Sequence, residues 1–392
     1  MTPTLSWSDL PLASSRADTY PVDLPPARRL YTYNGSAAIH AALQDMQLEH
    51  GAKVLLPAYC CGAELGPFEK LDCEMYFYDV ATDFSINREE LDRILSNQPE
   101  LRVMLLTHYL GIAQPEVEAI AEQCRAHQII LIEDCAHALY ATQRGRAVGQ
   151  SGDYAIFSMR KTLPLSEGGA LVSSDKLRQS SLENCKPLSI IACMSRVAYS
   201  FQQRARSGQK KGLANLARYL TLAAWSLPAI AAKIVNFTGL LAAHKWLTPD
   251  VEGAEAYPVF GQGISAFSRR LLENADADEV RRLRRANHAL WVKLISELDT
   301  VGIVNRDLPE GACPLYFVVQ VKSPKECVRR LARLDIEAFN WWQNLSPRIP
   351  WPEFPNARQF KQSLLALPVH QQLTDANIIH MAHCLSLVID AD

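Results

Sequence analysis

Two side chains in the middle of the chain have the type and setting for covalent chemistry. The apolar run Ile129-Ile130-Leu131-Ile132 ends in Glu133-Asp134-Cys135-Ala136-His137, which puts Asp134 at the carboxyl end of a buried strand. Further on, Lys161 falls in a turn between two strand-like segments, Tyr154–Phe157 and Ala170–Ser173. A carboxylate so placed can hold a protonated aromatic nitrogen, and a lysine near it can bond a carbonyl carbon and carry protons. Upstream, Gly35-Ser36-Ala37 opens an alanine-rich helix whose free N–H groups and dipole suit a phosphate. These are the demands of pyridoxal 5′-phosphate: a partner for the ring nitrogen, an amine for the aldehyde and donors for the dianion. Singly, each signal is weak. A strand-end Asp or a loop Lys is commonly structural or solvated, and a Gly-Ser helix start is commonly an N-cap.

The elements needed to position these groups follow one another in a regular order. A helix from Ala37 to about Glu49 precedes a strand at Lys53–Pro57, a helix at Cys61–Lys70 and a strand at Glu74–Asp79. Then come a helix at Arg88–Leu95, a strand at Arg102–Thr107, a helix at Pro115–His127 and a strand at Ile129–Glu133. Continuous apolar strands alternating with amphipathic helices predict an α/β fold, with a mainly parallel sheet covered by helices on both faces. After a long helix at Ala275–Leu298, a smaller mixed unit is expected. It contains strands at Leu315–Val321 and Ile336–Trp341 and helices at Pro324–Leu334 and Asp375–Leu387. The expected organisation is an extended arm over 1–30, a large domain over 31–255 and a small α+β domain over 256–392.

Within the large domain, about 184–249 form an insertion of a different kind. Between Asn184 and Pro249 there is no Asp or Glu, against nine Lys and Arg. Its first half is basic, and Tyr219–Ala243 is largely apolar but holds Pro228, Lys233 and Asn236. A helical insertion packed on the body or on another subunit is the expected reading, ahead of a surface lying on anionic lipid. A membrane span fits poorly with those three residues.

Composition excludes several classes. A net charge of −2 sets up no global field for nucleic acid, and the cluster Arg281-Arg282-Leu283-Arg284-Arg285 reads as a helix face without interleaved aromatics. The ten cysteines are scattered without metal-type pairing, which fits a reducing cytoplasm. Met1–Ser15 lacks the basic start of a signal peptide. His380 and His383 stand at helical spacing, but a terminal amphipathic helix produces that pattern by chance, and no metal site is expected. No G-x-G-x-x-G or G-x-S-x-G motif is present.

Collected in order, the motifs resemble the DegT/StrS family of pyridoxal-phosphate sugar aminotransferases. Gly35-Ser36-Ala37-Ala38-Ile39-His40-Ala41-Ala42-Leu43 resembles the family's phosphate helix, and Leu55-Leu56-Pro57-Ala58-Tyr59 its following strand. Thr107-His108-Tyr109-Leu110-Gly111 is similar to its H-x-x-G turn, and Glu133-Asp134-Cys135-Ala136-His137-Ala138 to E-D-x-A-Q/H-A. Gly149-Gln150-Ser151-Gly152-Asp153 through Phe157-Ser158 resembles G-x-x-G-D-x-x-x-F-S, with Lys161 and Glu167-Gly168-Gly169 at the family's interval. Leu367-Pro368-Val369-His370 is similar to a late L-P-x-H segment. The resemblance is dense over 33–175, and thin but collinear over 260–385.

The resemblance implies fold type I, a homodimer and an exchange of an amino group between an amino acid, Glu or Gln, and a nucleotide-linked keto-sugar in glycan biosynthesis. It implies Lys161 as the covalent lysine and proton carrier, and Asp134 as partner of the pyridine nitrogen. His137 would touch the ring or its phenolic oxygen, unless it is a satisfied core histidine. Gly35, Ser36, Ala37 and Ser158 would bind phosphate, and Glu167 would shape its loop. A lysine at 161 sets the chain apart from the family's dehydratase branch, which has histidine there. Three departures stand out. Ser158 and Lys161 are closer together than in the family, so Arg160 could supply charge to the phosphate or substrate. Cys60-Cys61 occupy the place of the aromatic that covers the cofactor, leaving Tyr59 or His108 for that role. The H-G and N-Y-R-M segments, by which a partner subunit completes the site, have no clear equivalent. A pyridoxal-phosphate enzyme for a non-sugar substrate, and a regulatory protein that kept the fold without turnover, are the competing readings.

Overall fold

The structure is a computed structural model of the 392-residue chain. It describes residues 28–178, 180–181, 185–188, 260–298, 300–342 and 344–389. Most of the expected arm, the acid-free insertion beyond residue 188 and the boundary at 255/256 lie outside those residues.

Seven strands form the main sheet: β1 (Arg29–Thr32), β2 (Lys53–Pro57), β3 (Glu74–Tyr78), β4 (Leu101–Thr107), β5 (Ile130–Asp134), β8 (Tyr154–Ser158) and β9 (Gly169–Ser173). Their spatial order is β1-β9-β8-β5-β4-β2-β3. The block from β3 to β8 is parallel, and β9 and β1 add antiparallel at one edge. Val54–Leu56, Val103–Leu106 and Leu131-Ile132 are buried on both faces, which is why those runs are continuously apolar instead of alternating. Between β5 and β8, β6 (Thr142–Gln143) and β7 (Arg146–Ala147) make a small hairpin.

The helices of this part are α1 (Gly35–Asp45), α2 (Gly66–Glu69), α3 (Arg88–Asn97) and α4 (Val117–Ala126). Several expected boundaries move. α1 ends before Glu49 because Gln47 turns left-handed. Cys61–Lys70 is helical only over α2, since Gly62 has a positive φ and Pro67 begins the one turn that forms. α4 starts two residues late because Glu116 is left-handed. Residues 29–30, expected in the arm, are the start of β1.

The second part comprises α5 (Ala266–Glu273), α6 (Ala277–Ile295), α7 (Pro324–Arg333), α8 (Pro355–Ser363) and α9 (Asp375–Ile389). Its antiparallel sheet has the order β10 (Gly302–Ile303), β11 (Tyr316–Gln320), β13 (Leu364–Pro368), β12 (Phe339–Asn340). The expected strand at Ile336–Trp341 shrinks to β12. α6 and α9 bury Trp291, Ile378 and Leu385 in a core that includes Phe317, whose ring stacks on Trp291 at 5.4 Å.

The two sheets are joined at the turn after β4. Cys313 N–H donates to Gly111 O at 2.9 Å and Leu315 N–H to Leu110 O at 3.1 Å. Gly111 has φ +84°, and a Cβ there would lie 1.8 Å from Cys313 O. Gly51 has a similar φ, +74°, with open space around it. Gly111→Ala should therefore lower stability by about 2–4 kcal/mol and Gly51→Ala by only about 1 kcal/mol, compared by urea denaturation.

Candidate active site

β4, β5 and β8 run parallel and in register at their carboxyl ends, with Thr107 beside Asp134 and Asp134 beside Ile156. Open α/β sheets bind ligands at that edge. Successive strand residues face opposite ways, so Glu133 and Asp134 enter different surroundings.

Glu133 is sealed. One of its oxygens accepts His108 Nε2–H at 2.8 Å and Gly149 N–H at 3.1 Å; the other accepts Ser151 N–H at 2.7 Å and Gly152 N–H at 2.6 Å. This is the structural meaning of Gly149-Gln150-Ser151-Gly152: the loop offers three backbone donors to one carboxylate. Burial pushes the Glu133 pKa up, but His108 and the backbone N–H groups outweigh it and hold the carboxyl below its usual range. His108 is fixed as well, because Gln114 N–H donates to its Nδ1 at 2.9 Å. His108, Glu133 and Cys135 have atoms close enough together to suggest a metal cluster. With Nε2–H given to Glu133 and Nδ1 accepting, however, the imidazole has no lone pair to spare for an ion.

Asp134 is 2% exposed, and its Oδ1 accepts Ala136 N–H at 2.9 Å. Burial pushes its carboxyl up to about 6, with nearby Glu64 adding to the shift and the Ala136 N–H, Lys161 and His108 opposing it. Such a carboxylate is short of a cation, and a protonated aromatic nitrogen would restore its ionised form.

Lys161 closes a 3-10 turn, Met159–Lys161, directly after β8, and its Nζ lies 3.1 Å from His137 Nε2. His137 is 3% exposed, and burial together with the Lys161 charge lowers its pKa well below the usual value. A neutral imidazole accepting at Nε2 from the ammonium carries its proton on Nδ1. That atom is buried without a partner, so the site holds an orphan donor suited to an anionic oxygen.

At the other end of the site, Asn34 caps α1 by accepting Ala37 N–H at 2.9 Å. Ala37, expected among the phosphate donors, therefore has its N–H already used. Gly35, which is buried, and the half-buried Ser36 form the start of the helix, and Ser36 Oγ donates to Ala63 O at 2.9 Å. Gly35 adjoins Ser158, since a Cβ on it would stand 3.5 Å from Ser158 Cβ. Arg160 follows, with a buried and unpartnered Nε. Just before Gly168-Gly169, Glu167 accepts from Ser265 N–H (3.1 Å), Ser265 Oγ (2.5 Å) and Ser268 Oγ (2.7 Å) at the start of α5, which is a structural bond network.

Tyr59 and His108 do not fit the expected covering role. Tyr59 is enclosed, its hydroxyl donating to Trp341 O at 2.7 Å and its carbonyl accepting from Tyr109. His108 is 0% exposed and bonded at both nitrogens. Two tryptophans reach the His137 ring, Trp341 at 5.4 Å and Trp342 at 5.1 Å; Trp341 is fully buried, and Trp342 is the one that keeps exposed surface. The adjacent tryptophans Trp341-Trp342, after a strand-like run, are the only sequence signal for it. Lys361 has no such signal. It is buried on α8, donating to Cys60 O at 2.6 Å and Asn344 O at 2.8 Å, and holds the loop in which Cys61 Sγ–H donates to Glu64.

With this geometry in view, residues 29–215 match the DegT/DnrJ/EryC1/StrS aminotransferase family. A GDP-perosamine synthase of Vibrio cholerae is 26% identical over 147 residues, 37% of this chain and 39% of that protein. A dTDP-4-dehydro-2,3,6-trideoxy-D-glucose 4-aminotransferase of Saccharopolyspora spinosa is 31% identical over 152 residues, 38% of this chain and 39% of that protein. The chain thus spans about two fifths of the length of the curated relatives it matches. PseC of Helicobacter pylori, an aminotransferase involved in pseudoaminic acid biosynthesis, shares the fold at a TM-score of 0.65 and 13% identity, over 93% of this chain and 87% of that one.

The two neighbouring acids should respond to pH in opposite directions. Glu133, with a depressed folded value, contributes stability that is present above the unfolded carboxylate range and is lost as pH falls through the folded value. Urea midpoints should drop on acidification below about pH 4, and Glu133→Gln should flatten that slope while lowering stability by about 2–4 kcal/mol at pH 7. Asp134, with a raised folded value, makes the cofactor-free protein lose stability as pH rises from about 4 to 6. Asp134→Asn should remove that loss and stabilise the cofactor-free protein by about 2 kcal/mol at pH 7, read from the same titrations.

Proposed function

We propose that this chain is a pyridoxal-5′-phosphate-dependent aminotransferase that moves an amino group from an amino acid, Glu or Gln, to a keto-sugar carried on a nucleotide. The observation that carries the reading is the meeting of Asp134 and the Lys161–His137 pair at one sheet edge, beside the start of α1. The residues fit the cofactor through an under-compensated buried carboxylate, an orphan imidazole donor and an amine, each of a type the group requires.

When bound, pyridoxal phosphate supplies an electron sink for the carbon that loses a proton. The remaining work falls to the chain. Asp134 would hold the ring nitrogen protonated, and His137 Nδ1–H would face the phenolic oxygen. Lys161 would hold the group covalently and afterwards take and return the proton at Nζ, with neutral His137 beside it. Gly35, Ser36 and Ser158 would bind the phosphate, with Arg160 adding positive charge. Trp342 would shield the ring in place of the family's aromatic. Support for a sugar substrate comes from the relatives named for GDP-perosamine synthesis and dTDP-sugar 4-amination.

Homodimer formation, a role in surface polysaccharide synthesis and a cytoplasmic location belong to the same proposal; the described cysteines are all free, as a reducing compartment would keep them. Among the described residues no helix is long and apolar enough to cross a membrane. Lipid contact through residues 184–249 is proposed only as peripheral binding.

A screen of amino donors and keto-sugar nucleotides, followed through the cofactor's absorbance, tests the reading. Wild-type protein should show a visible band that Glu or Gln discharges and a keto-sugar nucleotide restores. Lys161→Ala should lose the band and at least about a thousandfold of the rate. Wild-type protein that takes up no cofactor would defeat the proposal.

A further inference from the structure

Arg284 on α6 is 1% exposed, and its hydrogen bonds go to uncharged acceptors. Nε donates to Gln371 Oε1 at 3.0 Å, and Nη1 to Pro314 O at 3.1 Å and Leu315 O at 3.2 Å. Nη2 donates to Thr162 O at 2.9 Å. Among the described residues no carboxylate pairs with it, and burial works against its charge. A buried cation without a counter-ion is costly to a fold, so its presence calls for a reason. The reason lies in what the planar fork reaches, which a lysine could not match.

Thr162 is the residue after Lys161. Its carbonyl accepts twice, from Arg284 Nη2 and from Gln371 Nε2 at 3.1 Å. On the inner side, Thr162 N–H and Leu163 N–H both donate to Met159 O, at 3.0 and 2.9 Å, and close the turn that carries the lysine. The turn is therefore held from within by its own backbone and from outside by two side chains of the second part of the chain. Gln371 follows Leu367-Pro368-Val369-His370, and Arg284 also grips the Pro314-Leu315 segment that leads into β11. The short interval between Ser158 and Lys161 makes such support more necessary, because few residues separate the lysine from the strand end.

We propose that Arg284 and Gln371 form a clamp on the Thr162 carbonyl that positions Lys161, so that the C-terminal part of the chain sets how firmly the lysine meets its ligand. Both are positioning residues and touch no reacting atom. This rests on the reading of Lys161 as the cofactor's lysine. It also gives the late L-P-x-H segment a role, since that segment delivers Gln371 to the lysine's turn.

Gln371→Glu separates positioning from plain stability. The new carboxylate still accepts from Arg284 Nε and supplies the missing counter-charge, but it has no N–H for Thr162 O and repels that carbonyl. Three quantities are measured on wild type and variant: Tm without cofactor, Kd for pyridoxal phosphate, and the visible circular dichroism of the bound cofactor. The clamp requires an unchanged or raised Tm, a Kd raised about tenfold and a weakened dichroic band. Gln371→Leu, which removes the donor without adding charge, should weaken binding and dichroism in the same direction. Unchanged Kd and dichroism in Gln371→Glu, or a lowered Tm that accounts for weaker binding, would overturn the clamp. Wild-type protein that binds no cofactor overturns the functional reading, and the clamp with it.

Discussion

One carboxylate ties the site together. Glu133 collects donors from the residue after β4 and from the loop before β8, so three neighbouring strand ends are fixed around a single buried charge. In a low-dielectric setting an ion with four donors is rigid, because releasing any one leaves a desolvated group unmet. Asp134 is the next residue in the same strand and inherits that rigidity. Its own surroundings are the reverse, with one backbone donor and a neighbouring acid, which leaves it in need of a cation. Stability is concentrated at Glu133 and reactivity at Asp134, one pleat apart.

The same division recurs elsewhere. Glu167, Arg284 and Lys361 are buried ions held by hydroxyl, carbonyl or backbone partners, and each ties separate segments of the chain. Glu167 joins the turn after Lys161 to α5, Arg284 joins that turn to the second sheet, and Lys361 joins the Cys60-Cys61 loop to α8. At the sheet edge itself, two donors lack a hydrogen-bond partner: His137 Nδ1 and Arg160 Nε. Donors kept unpartnered between such firmly held ions are what a preorganised site for an anionic ligand requires.

The alternation of apolar strands with helices was legible because double-sided burial in a parallel sheet demands continuous hydrophobic runs, and Val54–Leu56 and Val103–Leu106 have them. Boundaries were less legible. The helix expected at Cys61–Lys70 was cut to one turn by Gly62 and Pro67, and the strand at Ile336–Trp341 was trimmed to two residues, because backbone dihedrals and pairing partners are settled by neighbours far along the chain. Tyr59 and His108 had the right ring types near the right motif. Whether a ring faces a ligand or a core depends on its hydrogen-bond partners, Trp341 O for one and Glu133 and Gln114 for the other.

By itself the sequence determined the chemistry at the sheet edge: an acid ending an apolar run, a lysine in the next turn, and a small-residue helix start, in an order that resembles one family. Those features are local, since strand periodicity, turn residues and helix caps act within a few positions. Only the tertiary structure decided which groups were free. It assigned the Ala37 N–H to Asn34, sealed Glu133 with the Gly149–Gly152 loop and brought Trp342 to His137. It also placed Arg284 and Gln371 on the carbonyl after Lys161. The physical reason is that availability depends on burial and bonding by distant segments, and residues 162, 284 and 371 share no pattern along the chain that would announce their meeting.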